Sequence, residues 1–249
     1  MAIPEKSKII ICYHRETVVV KNDEVFIPLH VGKARCEEEI LEGIQGDNEG
    51  DNISLKNNLY CELTGLYWLW KNVDADNYGL FHYRRFLDIG DKYPEPVTLQ
   101  NLNVSDWNAE AVSEVMQNYD LVLPKPTGLF PSVYEQYKAS HIIEDLNVVK
   151  YIIQNDFPEY AESAERVLCG SQMCIGNLFV MKKAMLDEYC NMLFGILGKA
   201  ETMIYLGGRV PYQTRSLAFM AERIFNIFID KQIASNPDLK IKYVRLLSF

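Results

Sequence analysis

Apolar residues in this chain come in short bursts between polar loops, and their period changes from burst to burst. Lys8 to Tyr13 (Lys-Ile-Ile-Ile-Cys-Tyr) is a nearly unbroken β-branched run, the pattern of a strand covered on both faces. A small apolar piece follows at Val25 to Leu29, and Gly46 to Asn52 is a loop by composition. From Leu55 to Trp70 the period lengthens. Leu59, Leu63, Leu66 and Trp70 fall on one face of a predicted helix, with Ser54 as its N-cap. Tyr78 to Arg85 is a second strand that turns cationic at its end. Pro94 to Pro96 breaks the chain, Ser105 to Asn118 is predicted helical, and Asp120 to Pro124 is a third strand stopped by proline. Val133 to Asn155 carries helical periodicity with a break near Ser140, and Pro158 is suited to open another helix. Cys174 to Met181 reads as a fourth strand. Helices over Ala184 to Leu197 and Thr214 to Ile229 follow, separated by Gly207-Gly208.

Strands alternating with helices imply a largely parallel sheet between helical layers, an α/β fold in a single domain over residues 1–249. Hydrophobic residues make up 48% of the chain and charged residues 24%, which excludes a disordered chain. The net charge of −9 argues against a general nucleic-acid binder, because no excess of cations seeks phosphate. The six cysteines form no CxxC pair, and Cys12, Cys61 and Cys190 sit in apolar segments where a thiol acts as a small hydrophobe. With no signal-peptide pattern and no apolar run of spanning length, a cytoplasmic location is expected. The segment from Lys240 to Leu247 reads as a final edge strand or as a weak peripheral membrane contact.

In open α/β sheets ligands bind beyond the carboxyl ends of the strands. The predicted strands end in His14-Arg15, in His82-Tyr83-Arg84-Arg85 and in Pro124-Lys125. Positive charge gathered on one sheet edge repels itself unless an anion sits there, and arginine matches phosphate bidentately. The inference is a phosphate-bearing ligand, most simply a nucleotide; the competing reading is pairing with the surplus Asp and Glu. Strand alternation separates Arg84 from Arg85 unless the strand has already ended, and Arg84 beside His82 is the stronger phosphate candidate.

Other motifs are weaker. Asp74-Ala75-Asp76 has the Asp-x-Asp form that binds divalent ions, but it precedes a strand and reads as a turn. No GxGxxG, Walker, GxSxG or HExxH motif is present, and the four histidines lack metal spacing. His141 stands before Glu144 and Asp145, which either complement a helix dipole or supply a base for an acceptor hydroxyl. Glu222 would be expensive to bury without a role; facing solvent, it is an ordinary charge pair with Arg223. The many tyrosines and phenylalanines suit sugar stacking or core packing, and Trp68 and Trp70 read as core.

The stretch from Tyr60 to Asn72, with Tyr-Cys-Glu-Leu-Thr-Gly at its start, followed by Gly-Leu-Phe-His-Tyr-Arg-Arg-Phe from Gly79 to Phe86, resembles a bacterial family long known only as a domain of unknown function. Pro28 to Gly32, Asn177 to Met181, Asp187 to Cys190 and Ala221 to Arg223 extend the resemblance over nearly the whole chain. Members sit in capsular polysaccharide, exopolysaccharide and O-antigen gene clusters and are described as glycosyltransferases. The resemblance implies a GT-A-like domain with C-terminal helices that uses a nucleotide-sugar donor, UDP-galactofuranose being one candidate. The acceptor it implies is a glycan, often lipid-linked. In GT-A enzymes the strand after such a helix carries Asp-x-Asp; here His82 to Arg85 takes that place, so a cofactor-free site is expected, with Mn²⁺ or Mg²⁺ left open. Leaving-group stabilisation falls to Arg84, with His82 and Arg85 in support, and donor contacts to His14, Gly32 and Asn57, the last by resemblance alone. Acceptor-side candidates are His141, Asp145, Asn177 and Glu222, the last as base. The alternative is a non-catalytic nucleotide- or carbohydrate-binding protein of polysaccharide assembly.

Overall fold

A computed structural model describes residues 5–36, 41–90 and 107–248. The β-branched run forms β1 (Ser7–Tyr13) at the centre of the sheet. It pairs in parallel with β2 (Phe26–His30) and with β4 (Asn77–His82), and β2 pairs with the short β3 (Gln45–Gly46). On the other side β9 (Phe179–Lys182) runs antiparallel between β4 and β6 (Leu121–Pro124), and β10 (Ile241–Val244) adds a parallel edge to β6. The order is β10-β6-β9-β4-β1-β2-β3, and β7 (Thr127–Gly128) and β8 (Gln172–Met173) form a separate antiparallel pair. After a tight turn β5 (Arg85–Leu87) leaves β4 and pairs with β11 (Leu246–Ser248), so the C-terminal segment is edge strand.

Alternation divides the core into two layers. Ile10, Cys12, Leu80 and Phe179 face the larger one, built from α2 (Leu63–Asn72) and the helices α4 (Val133–Ser140), α5 (Ile143–Asp156), α6 (Ala161–Cys169), α7 (Lys183–Met203) and α8 (Ser216–Ser235). Ile9, Ile11, Phe81 and Val180 face the smaller layer, closed by Trp107 and α3 (Ala109–Asn118). Trp68 is core, and Trp70 stacks on Phe194 and donates to Asp187 Oδ1. No described helix is long and apolar enough to cross a membrane. The Pro94–Pro96 break lies outside the described residues.

Three element predictions need correction. The helix expected over Leu55–Trp70 is broken: a 3-10 turn at Ser54–Lys56 leads into α1 (Asn57–Tyr60), and Cys61, with φ 48° and ψ −127°, separates it from α2. Asn57 Nδ2 and Thr64 Oγ1 both donate to the Cys61 carbonyl, so side chains take an acceptor that a continuous helix would use. Ser54 is not an N-cap; it donates to Asp47 Oδ1 and accepts from the Ala34 amide. The strand expected over Cys174–Met181 begins only at Phe179. Asn226 of α8 takes both backbone groups of Cys174, and Gly176 and Asn177 turn the chain at positive φ (88° and 52°). Finally, β4 ends at His82, which leaves Tyr83 and Arg84 in a turn.

Candidate functional site

The carboxyl edge of the sheet opens into a cavity of about 730 Å³. Its lining includes His14 and Arg15 after β1, His82 to Arg85 at the β4–β5 turn, Gly176, and Tyr212, Arg215, Phe219 and Glu222 at the start of α8. A smaller recess of about 360 Å³ shares His14, Glu62, His82, Tyr83 and Arg215 and adds Val31, Asn57 and Asn58. Because the strand stops at His82, the alternation that would send Arg84 and Arg85 to opposite faces no longer applies, and both line the cavity. Tyr83 is a buried post between two guanidinium groups, with Arg15 at 4.9 Å and Arg84 at 5.5 Å from the ring centroid.

Among the described residues, Arg15, Arg84, Arg85 and Arg215 have no carboxylate ion-pair partner, whereas the neighbouring Arg223 pairs with Glu222 at 3.1 Å. Arg215 Nε instead donates to Cys61 Sγ at 3.1 Å, so Cys61 contributes to the cavity and is not a buried hydrophobe like Cys12 and Cys190. The pKa of His14 is lowered by burial and then by Arg15, Arg215 and Arg84. Burial also lowers that of His82, against Glu62, which pulls it up. Both imidazoles are therefore biased toward the neutral form, and His82 Nε2–H donates to the Gly176 carbonyl at 2.8 Å.

Two carboxylates face this positive charge. The break at Cys61 aims Glu62 into the cavity, where its Oε1 accepts from Asn177 Nδ2 at 2.9 Å. Glu222 Oε1 accepts from the Gly176 amide at 3.1 Å. Burial pushes the Glu222 carboxyl up, Arg223 pulls it down, and Glu62 adds to the rise. His82, Glu62 and Glu222, from three distant segments, thus all tie to one two-residue turn. Non-glycine residues at positive φ cost about 1–3 kcal/mol and persist where the surroundings over-determine them, as at Asn177 here.

Of the residues singled out from the sequence, His14, His82, Arg84, Arg85, His141 and Glu222 line the main cavity and Asn57 lines the recess. The other three belong elsewhere. Gly32, at φ 74°, lines neither the cavity nor the recess; a Cβ there would meet Asn57 Cγ at 2.6 Å, so its part is to let Asn57 pack. Asn177 is fully buried and serves as the brace of Glu62. Asp145 is locked in a buried bidentate pair with Arg209 at 2.5 and 2.8 Å, beside a different surface recess. Lys125 is exposed and does not line the cavity. Asp74 and Asp76 sit at the amino edge, where Asp74 pairs with Lys183 and Asp76 accepts from the Lys6 amide. Among the described residues no three His, Cys, Asp or Glu side chains are grouped to hold a metal ion. Glu62, Arg215 and Tyr212 were missed. For Glu62 a signal existed, an acid inside an otherwise apolar helical stretch; for the other two, sequence spacing carries none.

Comparison with known proteins adds three findings. No curated protein matches the chain. A solved structure described as WbbM bifunctional glycosyltransferase, in its apo form, superposes with a TM-score of 0.89 at 31% identity over 98% of this chain. The match covers 45% of that protein, so the present chain spans less than half its length. The model of a domain of unknown function, DUF4422, matches residues 8–233, which contain every cavity residue named above, and the chain belongs to that family.

Proposed function

We propose that this chain is a glycosyltransferase domain that moves a sugar from a nucleotide-sugar donor, UDP-linked and with UDP-galactofuranose as one candidate, to a capsular, exopolysaccharide or O-antigen glycan. The observation that carries the reading is the set Arg15, Arg84, Arg85 and Arg215, which lines one cleft with no carboxylate ion-pair partner among the described residues. A departing diphosphate relieves their mutual repulsion through charge-assisted hydrogen bonds. The likeness to a bifunctional glycosyltransferase supports the reaction class.

In this reading Arg84, with Arg85 and His82, meets the diphosphate oxygen that carries away the bonding electrons as the anomeric carbon–oxygen bond breaks. His14 and Asn57, on the recess, contact the nucleoside end of the donor. The acceptor oxygen forms the new bond to the anomeric carbon and gives its proton to Glu222, whose raised pKa moves it toward the operating pH. Arginine supplies the counter-charge that an Asp-x-Asp-bound cation would otherwise supply, so transfer persists in excess chelator; strict dependence on Mn²⁺ or Mg²⁺ overturns that part.

The test is a melting-temperature screen over nucleotides and nucleotide sugars, followed by product analysis with the stabilising sugar donor. A ligand at a hundred times its Kd adds about 2.7 kcal/mol, a rise of several degrees for a chain of this size. If no nucleotide raises the melting temperature, the donor site is wrong. If nucleotides stabilise but no donor turns over, even slowly by hydrolysis, the chain is a nucleotide-binding protein without catalysis.

A further inference from the structure

Tyr212, Phe219 and His141 form an aromatic cluster in the main cavity, with the Arg215 guanidinium 5.7 Å from the Phe219 ring centroid. The His141 and Phe219 rings stack 4.1 Å apart at 28°, Tyr212 lies 4.9 Å from Phe219, and Tyr212 and His141 are within 18° of parallel at 5.9 Å. All three line the cavity. Tyr212 nonetheless keeps 53% of its surface exposed, unusual for a ring that already has two stacking neighbours.

Arg215 apart, the groups bordering these rings carry no free charge. Burial, and then Arg223, lower the His141 pKa to about 4, so the imidazole is neutral at physiological pH. Arg223 is itself consumed: it pairs with Glu222 and donates to the Phe219 carbonyl and to Gln136 Oε1. The exposed Tyr212 ring suits a ligand with polarised C–H bonds, because aromatic faces carry partial negative charge. The nucleoside of the donor has its own place in the recess with Val31, Asn57 and Asn58.

We propose that Tyr212, Phe219 and His141 form the acceptor subsite, a platform on which an uncharged pyranose ring of the acceptor glycan stacks. The assignment rests on the reading that the cavity arginines receive the donor diphosphate. It places the acceptor hydroxyl on the same side of the cavity as Glu222, three residues after Phe219 in α8.

The probe is saturation-transfer NMR on the full chain with methyl galactoside, methyl glucoside and methyl mannoside. At least one glycoside receives saturation at its ring C–H protons in the wild type and in Tyr212→Phe, loses it in Tyr212→Ala, and keeps it in Arg84→Ala. Uridine added in excess leaves the signal in place. Equal signals in wild type and Tyr212→Ala, displacement by uridine, or no transfer from any of the three glycosides overturns the platform. Nucleotide-induced stabilisation of Tyr212→Ala is read in parallel. If no nucleotide stabilises either protein while the Tyr212-dependent contact persists, the failure belongs to the donor reading and the sugar platform stands.

Discussion

The two edges of the central sheet use the same residue types to opposite ends. At the amino edge charges are met by local partners: Lys183 pairs with Asp74, Lys182 with Glu5, and Asp76 accepts from the Lys6 backbone. At the carboxyl edge Arg15, Arg84, Arg85 and Arg215 share a cavity without such partners among the described residues, in a chain whose acidic residues outnumber its basic ones by 34 to 25. Enough carboxylates exist to neutralise these arginines, so the lack of pairing is a matter of placement. Charges paired within the fold serve the fold; charges left facing a cavity serve whatever enters it.

The comparison is broken or sharpened by removing charges of each kind. The largest effect belongs to the buried pair Arg209–Asp145. Arg209→Leu leaves the Asp145 carboxylate buried and alone, and should lower unfolding free energy by about 3–5 kcal/mol in a denaturant titration. A loss under 1 kcal/mol would show that the pair relaxes to solvent. Arg84→Ala removes an unpaired charge. Turnover of the donor should fall on the order of 10²–10³-fold while the melting temperature holds or rises, since self-repulsion is relieved. Retained turnover would remove Arg84 from the mechanism.

His141 lies between these cases. Its folded pKa of about 4 is below its ordinary value of 6.5, so the stability it contributes is fully present above pH 6.5 and is lost as pH falls toward 4. Wild-type melting temperature should therefore drop more steeply across that window than that of His141→Gln. Parallel curves would mean that the imidazole is solvated. The smallest effect is expected at the amino edge. Lys183→Ala removes an exposed, solvent-screened pair and should leave both the melting temperature and donor turnover nearly unchanged; a loss of turnover would mean that the two edges are not separate in function.

Much of the site was legible before the structure, though unevenly. His14, His82, Arg84 and Arg85 were found because the rule that places ligands at strand ends needs only the ends of β1 and β4, and both strands announce themselves as apolar runs. Asp145 failed for the converse reason: a carboxylate in a first helical turn looks the same whether it faces a ligand or, as here, Arg209 from 64 residues away. Gly32, expected as a donor contact, and Asn177, expected on the acceptor side, line neither cavity, and periodicity does not distinguish a residue on a cavity wall from one beneath it. The separation of Arg84 from Arg85 was undone by a strand boundary, the least legible feature of a sequence.

Local pattern, then, determined the α/β class, the central strands and the cationic character of one edge, because burial periodicity and charge order are properties of adjacent residues. Tertiary structure alone decided that Glu62, from the break before α2, would meet His82 and Glu222 around the turn at Gly176 and Asn177, and that Arg215 and Tyr212 would close the cavity from the start of α8. Those meetings follow from helices packing across the sheet, and contacts between residues 46 to 115 positions apart leave no trace in the spacing of either.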